Sequence, residues 1–274
     1  MDTRTRPQTV VGGLSYVKPD GPYAINYMYP PPAGEPWQTC EYELREVSIA
    51  DMRSAAPPAL EREGFILADA PTRVTDFGDE DAIHAIYYAE AAELARAVTG
   101  ARAAYVFDHL VRRRDPSRPT LTFGREGDGA PSAVGRIHND YTETSGYLRL
   151  GRVLPDPVQA AAVGRYGIVN IWRSIRGPVL DTPLALCDAR SVRPGDLIVA
   201  DAIFDEPDGR EWGFEGLLVA HNPGHRWYYY PDMHAGEAIL FKTKDSGEAA
   251  ARHIPHVAFN DPDAPEDAPP RSSI

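Results

Sequence analysis

The run Arg136-Ile137-His138-Asn139-Asp140-Tyr141-Thr142 holds residues whose types and spacing could do chemistry. Its His-x-Asp core puts an imidazole and a carboxylate two residues apart. Side chains at i and i+2 of a strand share a face, so on a strand His138 and Asp140 point one way and Asn139 the other. One imidazole nitrogen and one carboxylate oxygen are two of the three ligands of a facial-triad iron site, which leaves the opposite coordination positions open. Standing alone, the same spacing also fits polar residues on a solvated strand or turn.

A facial triad needs a second imidazole from a later strand. His221, His225, His253 and His256 follow the motif, while His234 sits in an apparent turn, Asp232-Met233-His234-Ala235-Gly236. The C-terminal pattern favours His256. Gly236 to Lys242 reads as a buried strand, Arg252 to Phe259 supplies the histidine, and Pro270-Arg271-Ser272-Ser273 closes the pattern. Arg271 and Ser273, two apart, present a guanidinium fork and a hydroxyl on one face, which suits the distal carboxylate of a dicarboxylate cosubstrate. The order His, short gap, Arg-x-Ser is similar to that of iron- and 2-oxoglutarate-dependent oxygenases. His225 stays open as the rival third ligand. It heads the run His225-Arg226-Trp227-Tyr228-Tyr229-Tyr230-Pro231, too aromatic for an ordinary surface strand. Trp227, Tyr228 and Tyr229, with Trp172 and Tyr141, are candidate pocket walls, and plain core packing is their other reading. His109 has no companion at ligand spacing and reads as structural.

These residues need elements to position them. Residues 1–36, rich in Pro, Gly and Tyr, read as an extended arm or loop lying on the body. Tyr42 to Ile49 reads as a strand, and Ala59 to Leu67 as a short helix stopping at Gly64 followed by a strand. Asp79 to Val98 is the clearest helix: Ile83, Ile86, Tyr87, Ala91, Leu94, Ala97 and Val98 recur at helical spacing, acidic residues start it, and Gly100 stops it. Ala103 to Val111 reads as an apolar strand, and 112–131 as a loop. From Val134 the pattern turns to short strands: 134–142, 168–175, 184–192, 196–202, 217–221, 226–230, 238–242 and 253–259. A helical excursion over 147–163 is interrupted by Pro155 and Pro157. Short runs bounded by Gly, Pro and Asp describe an antiparallel sandwich or barrel.

Composition limits the partners. The chain has 274 residues, enough for a well-buried core, and a net charge of −12 from 40 acidic and 28 basic residues. That balance argues against nucleic acid or an anionic membrane surface as partner. No apolar run is long enough for a spanning helix, and the N-terminus lacks the apolar core of a signal peptide. The two cysteines, Cys40 and Cys187, form neither a disulfide framework nor a zinc site, so a cytoplasmic location is expected. Composition gives no handle on oligomeric state.

The chain resembles the CmcJ/AsaB-type hydroxylase/desaturase group of non-haem Fe(II)- and 2-oxoglutarate-dependent oxygenases. The resemblance is carried by His138 to Thr142, Asn170 to Ile175, Pro183 to Val192, His225 to Pro231, Leu240-Phe241-Lys242 with Asp245-Ser246, and Pro255 to Phe259 continuing to Pro270-Arg271-Ser272-Ser273. It implies a mainly β protein with flanking helices, built on a double-stranded β-helix of the jelly-roll, cupin-like kind. It implies one domain over 1–274, with the 1–36 arm and the jelly-roll core at 134–274. It also implies Fe(II), 2-oxoglutarate and O2 acting on a small-molecule, secondary-metabolite substrate by C–H abstraction, giving hydroxylation, desaturation or cyclisation. Asn139, Tyr141, Ser174 and Lys244 depart from the residues that the group often carries. Two other readings of the same scaffold are a metal hydrolase or isomerase, and a non-catalytic jelly-roll ligand-binding module.

Overall fold

The computed structural model describes residues 8–114, 121–122, 133–205, 211–248 and 251–274. In chain order the first strands are β1 (Thr9–Val17), β2 (Ala24–Tyr27), β3 (Tyr42–Asp51), β4 (Phe65–Asp69), β5 (Arg112–Arg113), β6 (Leu121–Thr122), β7 (Ala133–Val134) and β8 (His138–Asn139). Then come β9 (Gly167–Trp172), β10 (Leu184–Cys187), β11 (Leu197–Asp205), β12 (Glu211–Val219), β13 (Trp227–Tyr229), β14 (Glu237–Asp245), β15 (His256–Ala258) and β16 (Ser272–Ser273). The main sheet runs β1-β3-β13-β10-β15-β8-β12-β11-β2, and a smaller sheet runs β4-β14-β9. Bridges from Ser15 to Arg136 and from Val17 to Ala220 bring β1 back against the far side of the main sheet, so that it curls on itself.

Alternation along the strands builds two cores. Ala185, Cys187, Trp227, Tyr229 and Val257 point to one face of the main sheet and pack with Leu14, Tyr16, Ile49 and Phe259. Leu184 and Leu186 point to the other face, where Phe65, Ile239 and Phe241 of the smaller sheet meet them. The short strands therefore bury side chains on both faces, as a period-2 element between two layers must.

The helix expected over Asp79 to Val98 is present as one continuous run. It comprises α1 (Glu80–Ala82), a wide π turn (Ile83–Tyr87) and α2 (Tyr88–Thr99). Asp79 caps its start by accepting from the Ala82 N–H at 3.0 Å, and Gly100 ends it in the left-handed region at φ +69°. Its buried Ile83 and Tyr87 pack on Val74, Phe77 and Ile274. The helix thus supports the C-terminal strand. The interrupted excursion is α3 (Glu143–Val153) followed by α4 (Pro157–Ala161), the latter capped by Asp156.

Four segments depart from the sequence reading. The N-terminal stretch expected as an arm or loop carries β1 and β2, because Val10, Leu14, Tyr16 and Val17 are buried in the cores. Ala103 to Val111 forms no strand. It has no ladder partner among the described residues, and Tyr105, Phe107 and Leu110 remain 59%, 39% and 48% exposed. The loop expected over 112–131 begins with β5, which pairs with β16, while 115–120 and 123–132 lie outside the described residues. In place of a short helix before Gly64 there is a turn, with the N–H groups of Arg62, Glu63 and Gly64 all donating to the Ala59 carbonyl.

Two glycines with positive φ should respond differently to a methyl group. At Gly64 (φ +93°) a Cβ would lie 1.9 Å from Cδ1 of the buried Ile254, whereas at Gly100 it meets nothing within 4 Å. Both alanine variants incur the left-handed backbone cost of ~1–2 kcal/mol. Only Gly64→Ala adds overpacking, roughly 1–3 kcal/mol more. Urea midpoints should therefore fall further for Gly64→Ala than for Gly100→Ala, and equal shifts would contradict this packing.

Candidate metal centre

The His-x-Asp motif sits where β8 ends. His138 lies on the strand and Asp140 in the bend just beyond it, so the strand expected over 134–142 is cut short. Thr142 is the reason. Its hydroxyl accepts from the Ser145 N–H at 3.1 Å while the Ser145 hydroxyl accepts from the Thr142 N–H at 2.9 Å, a reciprocal cap that starts α3. The cap hydroxyl also bonds Glu215 of β12.

The second imidazole arrives through strand register. β15 pairs with β8 so that His256 stands directly opposite His138, and the ring centroids lie 4.3 Å apart. Asp140 Oδ1 lies 3.6 Å from His138 Nε2 and 3.8 Å from His256 Nε2. The three ligand atoms all fall within 4.8 Å of one another.

Each donor is oriented from behind. His138 Nδ1–H donates to the Arg136 carbonyl at 2.8 Å and His256 Nδ1–H to the Ile254 carbonyl at 3.0 Å, so both Nε2 lone pairs face the centre. Asp140 Oδ2 accepts from the Asn170 amide of β9 at 2.7 Å, which leaves Oδ1 for the centre. Asn139 ties the two histidine segments together. Its amide donates to the Tyr141 and Thr243 carbonyls, both at 2.9 Å, and its oxygen accepts from the Ile254 N–H at 3.1 Å. Burial and the neighbouring His256 push the His138 pKa down to about 4 against the pull of Asp140. A neutral imidazole at physiological pH is the form that binds a metal. Two imidazoles and one carboxylate, with lone pairs converging, fit a divalent transition ion such as Fe(II).

Beside this cluster lies a buried cationic pocket. Arg271 donates from Nη1 to the Thr182 carbonyl at 2.7 Å, and its guanidinium carbon sits 5.5 Å from the Trp172 ring centroid. Among the described residues no carboxylate lies within ion-pairing distance of it. The Ser273 hydroxyl is buried without a hydrogen-bond partner. In the β5–β16 register Arg112 stands opposite Ser273, so Arg112, Ser273 and Arg271 share one face. Burial, reinforced by Arg112, holds the Arg271 pKa down to about 9, and burial lowers Arg112 to about 10 despite Asp140. A buried guanidinium, a half-buried one beside it and an unpartnered hydroxyl make a receptor for an anion.

The remaining candidates separate. His225 lies apart from the cluster: its Nε2 is 3.1 Å from Asp196 Oδ2, and its ring stacks on Tyr16. Trp227 donates to the Tyr16 hydroxyl at 2.7 Å, and with Tyr229 it belongs to the core on the opposite face of the sheet, so neither lines the centre. Tyr228 shares the face of His256, since both pair with Leu186 of β10. Tyr141 stands edge-on to Phe214 at 5.0 Å and to Phe107 at 6.5 Å. Asn139 and Asn170 lie in stretches that carry the family resemblance, but neither stretch says what the amide touches, and Arg112 falls in an expected loop.

Comparison with known proteins agrees with this geometry. A family model described as "Oxidoreductase/YMDC permease-like domain" matches residues 14–274. The hydroxylase/desaturase efuI of Hormonema carpetanum is 31% identical over 249 residues, covering 85% of this chain and 82% of that protein. The chain belongs to the hydroxylase/desaturase family of Fe(II)/2-oxoglutarate-dependent oxygenases. The alpha-ketoglutarate-dependent dioxygenase phiK of a fungal species is also 31% identical, over 234 residues, 85% of this chain and 82% of that protein. A solved structure of the iron and alpha-ketoglutarate-dependent endoperoxidase NvfI shares the fold, with a TM-score of 0.85 at 22% identity over 98% of this chain and 95% of that one. The fold is thus the jelly-roll of this oxygenase family with helices outside it, and the protein is an Fe(II)/2-oxoglutarate-dependent oxygenase of small molecules. The hydrolase, isomerase and binding-module readings are set aside. No helix among the described residues is long and apolar enough to cross a membrane.

Asn170 should matter to metal affinity although it is no ligand. Asn170→Ala frees Asp140 Oδ2, and loss of such an orienting bond typically costs ten- to hundredfold in affinity. Fe(II) titration under anaerobic conditions should show that weakening. Unchanged affinity would mean that Asp140 does not need its amide partner.

Proposed function

We propose that His138, Asp140 and His256 hold the iron of this oxygenase and that Arg271, with Ser273, binds the far carboxylate of 2-oxoglutarate. The observation that carries this reading is the placement of two residues on β9. Asn170 touches Asp140, and Trp172, two residues on, touches Arg271. Two residues of strand span roughly 6.5–7 Å. That separation suits a five-carbon diacid reaching from the triad to the guanidinium.

When bound, iron with the 2-oxo acid and dioxygen supplies the oxidant that removes hydrogen from a C–H bond, with succinate and carbon dioxide as co-products. This chain's residues place and shield the reactants. Arg271 and Ser273 fix one end of the cosubstrate, so that its 2-oxo acid end faces the open side of the triad. Arg112 strengthens the positive potential of that pocket, and a dianion relieves the repulsion between the two guanidiniums. Asn170 and Asn139 keep the ligands in register. Tyr141 and Trp172 flank the centre with apolar surface that excludes water from it. Tyr228 extends that surface on the His256 side. Whether hydrogen removal ends in hydroxylation, desaturation or cyclisation is set by where these walls hold the substrate. Residues 1–274 act as one catalytic unit, in which β1 to β4 complete the sheets of the 134–274 core, in the cytoplasm and on a secondary metabolite. Support comes from the fungal hydroxylase/desaturase relatives, the reduced, buried Cys40 and Cys187, and the acidic composition, which disfavours nucleic acid.

Anaerobic titration with Fe(II) and 2-oxoglutarate tests the assignment. Wild type and His225→Ala should develop the weak visible charge-transfer band of a chelated 2-oxo acid, and His256→Ala should not. Arg271→Ala should need at least tenfold more 2-oxoglutarate, given the ~1.5–3 kcal/mol of a charge-assisted hydrogen bond. A band lost in His225→Ala but kept in His256→Ala would overturn the triad, and an unshifted Arg271→Ala would overturn the clamp.

A further inference from the structure

We propose a second divalent-metal site, formed by Glu80, His84 and His109, about the helix that flanks the jelly roll. Glu80 and His84 are four residues apart on the helical run, so both side chains rise from one face. His109 comes from the irregular segment after that helix. Its Nε2 lies 3.1 Å from Glu80 Oε2, and His84 Nε2 lies 3.9 Å from the same oxygen. All three ligand atoms are within 4.8 Å of one another. Two donors each ~2.1 Å from a tetrahedral zinc lie roughly 3.4 Å apart, so these spacings bracket what an ion would need.

The site has a support of its own. The Tyr88 hydroxyl lies 3.0 Å from His109 Nδ1, which leaves Nε2 turned toward Glu80. Tyr88 also packs on the His84 ring, at 4.6 Å between centroids, so one side chain positions both imidazoles. An outer hydrogen bond on the far ring nitrogen is the usual partner of a metal-bound histidine. The His109 side chain is only 14% exposed, whereas His84 and Glu80 are 58% and 67% exposed. One anchored ligand and two exposed ones describe an exchangeable surface site for a borderline ion such as zinc, with a water in the open position.

The position gives such an ion a consequence. The segment 101–111 has no strand or helix of its own. Phe107 in it meets Tyr141 beside the triad, and the segment leads directly into Arg112, opposite Ser273 in the anion pocket. An ion joining His109 to the helix would pin this segment near its C-terminal end, three residues before Arg112, and stiffen one wall of the catalytic centre.

The test uses full-length protein without a histidine tag, dialysed against zinc(II) and counted as metal per chain. The central triad also takes zinc, so the His138→Ala/His256→Ala double variant isolates the second site. Wild type should bind two zinc ions, the double variant one, and the same variant with His84→Ala none. Because His84 is largely exposed, its loss should leave folding intact, which circular dichroism would verify. In the double variant, zinc should also slow amide exchange across 101–111, and His84→Ala should abolish that slowing. Absence of zinc from the double variant, or its retention after His84→Ala, would overturn the site whatever the fate of the triad. Zinc bound with no change in exchange across 101–111 would overturn its role in stiffening the wall.

Discussion

The His138–Asp140–His256 cluster rests on one cross-strand pair: His256 on β15 opposite His138 on β8. Side chains directly opposite each other on neighbouring antiparallel strands lie within reach on one face. A slip of one residue would send His256 to the other face of the sheet and dissolve the cluster. Much of the surrounding structure guards this register. β15 is held on its other edge by β10, where Leu186 pairs with His256. Asn139 bonds residues on three segments, and the Ile254 it holds supplies the carbonyl that orients His256. The central cores and the smaller sheet are the frame that keeps these short strands from sliding.

The anion pocket depends on a different constraint, the desolvation of charge. A buried guanidinium without an ion-pair partner is costly. Arg271 lowers that cost only in part, through the Thr182 carbonyl and the Trp172 face. The strand that carries it is fixed from two sides. Arg173 and Ile274 exchange backbone hydrogen bonds at 3.0 and 3.1 Å, while β5 pairs along the other edge. Helix packing on Ile274 closes the arrangement. The pocket therefore holds two cations in place before any anion arrives, the preorganisation that electrostatic recognition requires.

Much of this was legible in the sequence because it is local or carried by type. The His-x-Asp spacing, the short strands after Val134 and the amphipathic helix over 79–98 are patterns of a few residues. Arg271 and Ser273 at i and i+2 declared a shared face. What was not legible depends on which strand lies beside which. His225 and His256 both sit in aromatic or apolar runs of sequence, and only the fold shows one against Asp196 and the other against Asp140. Trp227 and Tyr228 are adjacent, so the pleat sends one to the far core and the other to the site face. Asn170 and Arg112 gain their roles through contacts 30 residues away for Asn170–Asp140 and through the β5–β16 pairing for Arg112. The apolar run 103–111 looked like a strand because hydrophobicity alone does not supply a ladder partner.

The most direct test of the central claim is an anaerobic crystal structure with Mn(II), as a stand-in for Fe(II), and 2-oxoglutarate. One ion should be bonded to His138 Nε2, Asp140 Oδ1 and His256 Nε2, with the far carboxylate of the diacid on Arg271 and Ser273. An ion ligated by His225, or a diacid whose far carboxylate lies away from Arg271, would contradict that claim.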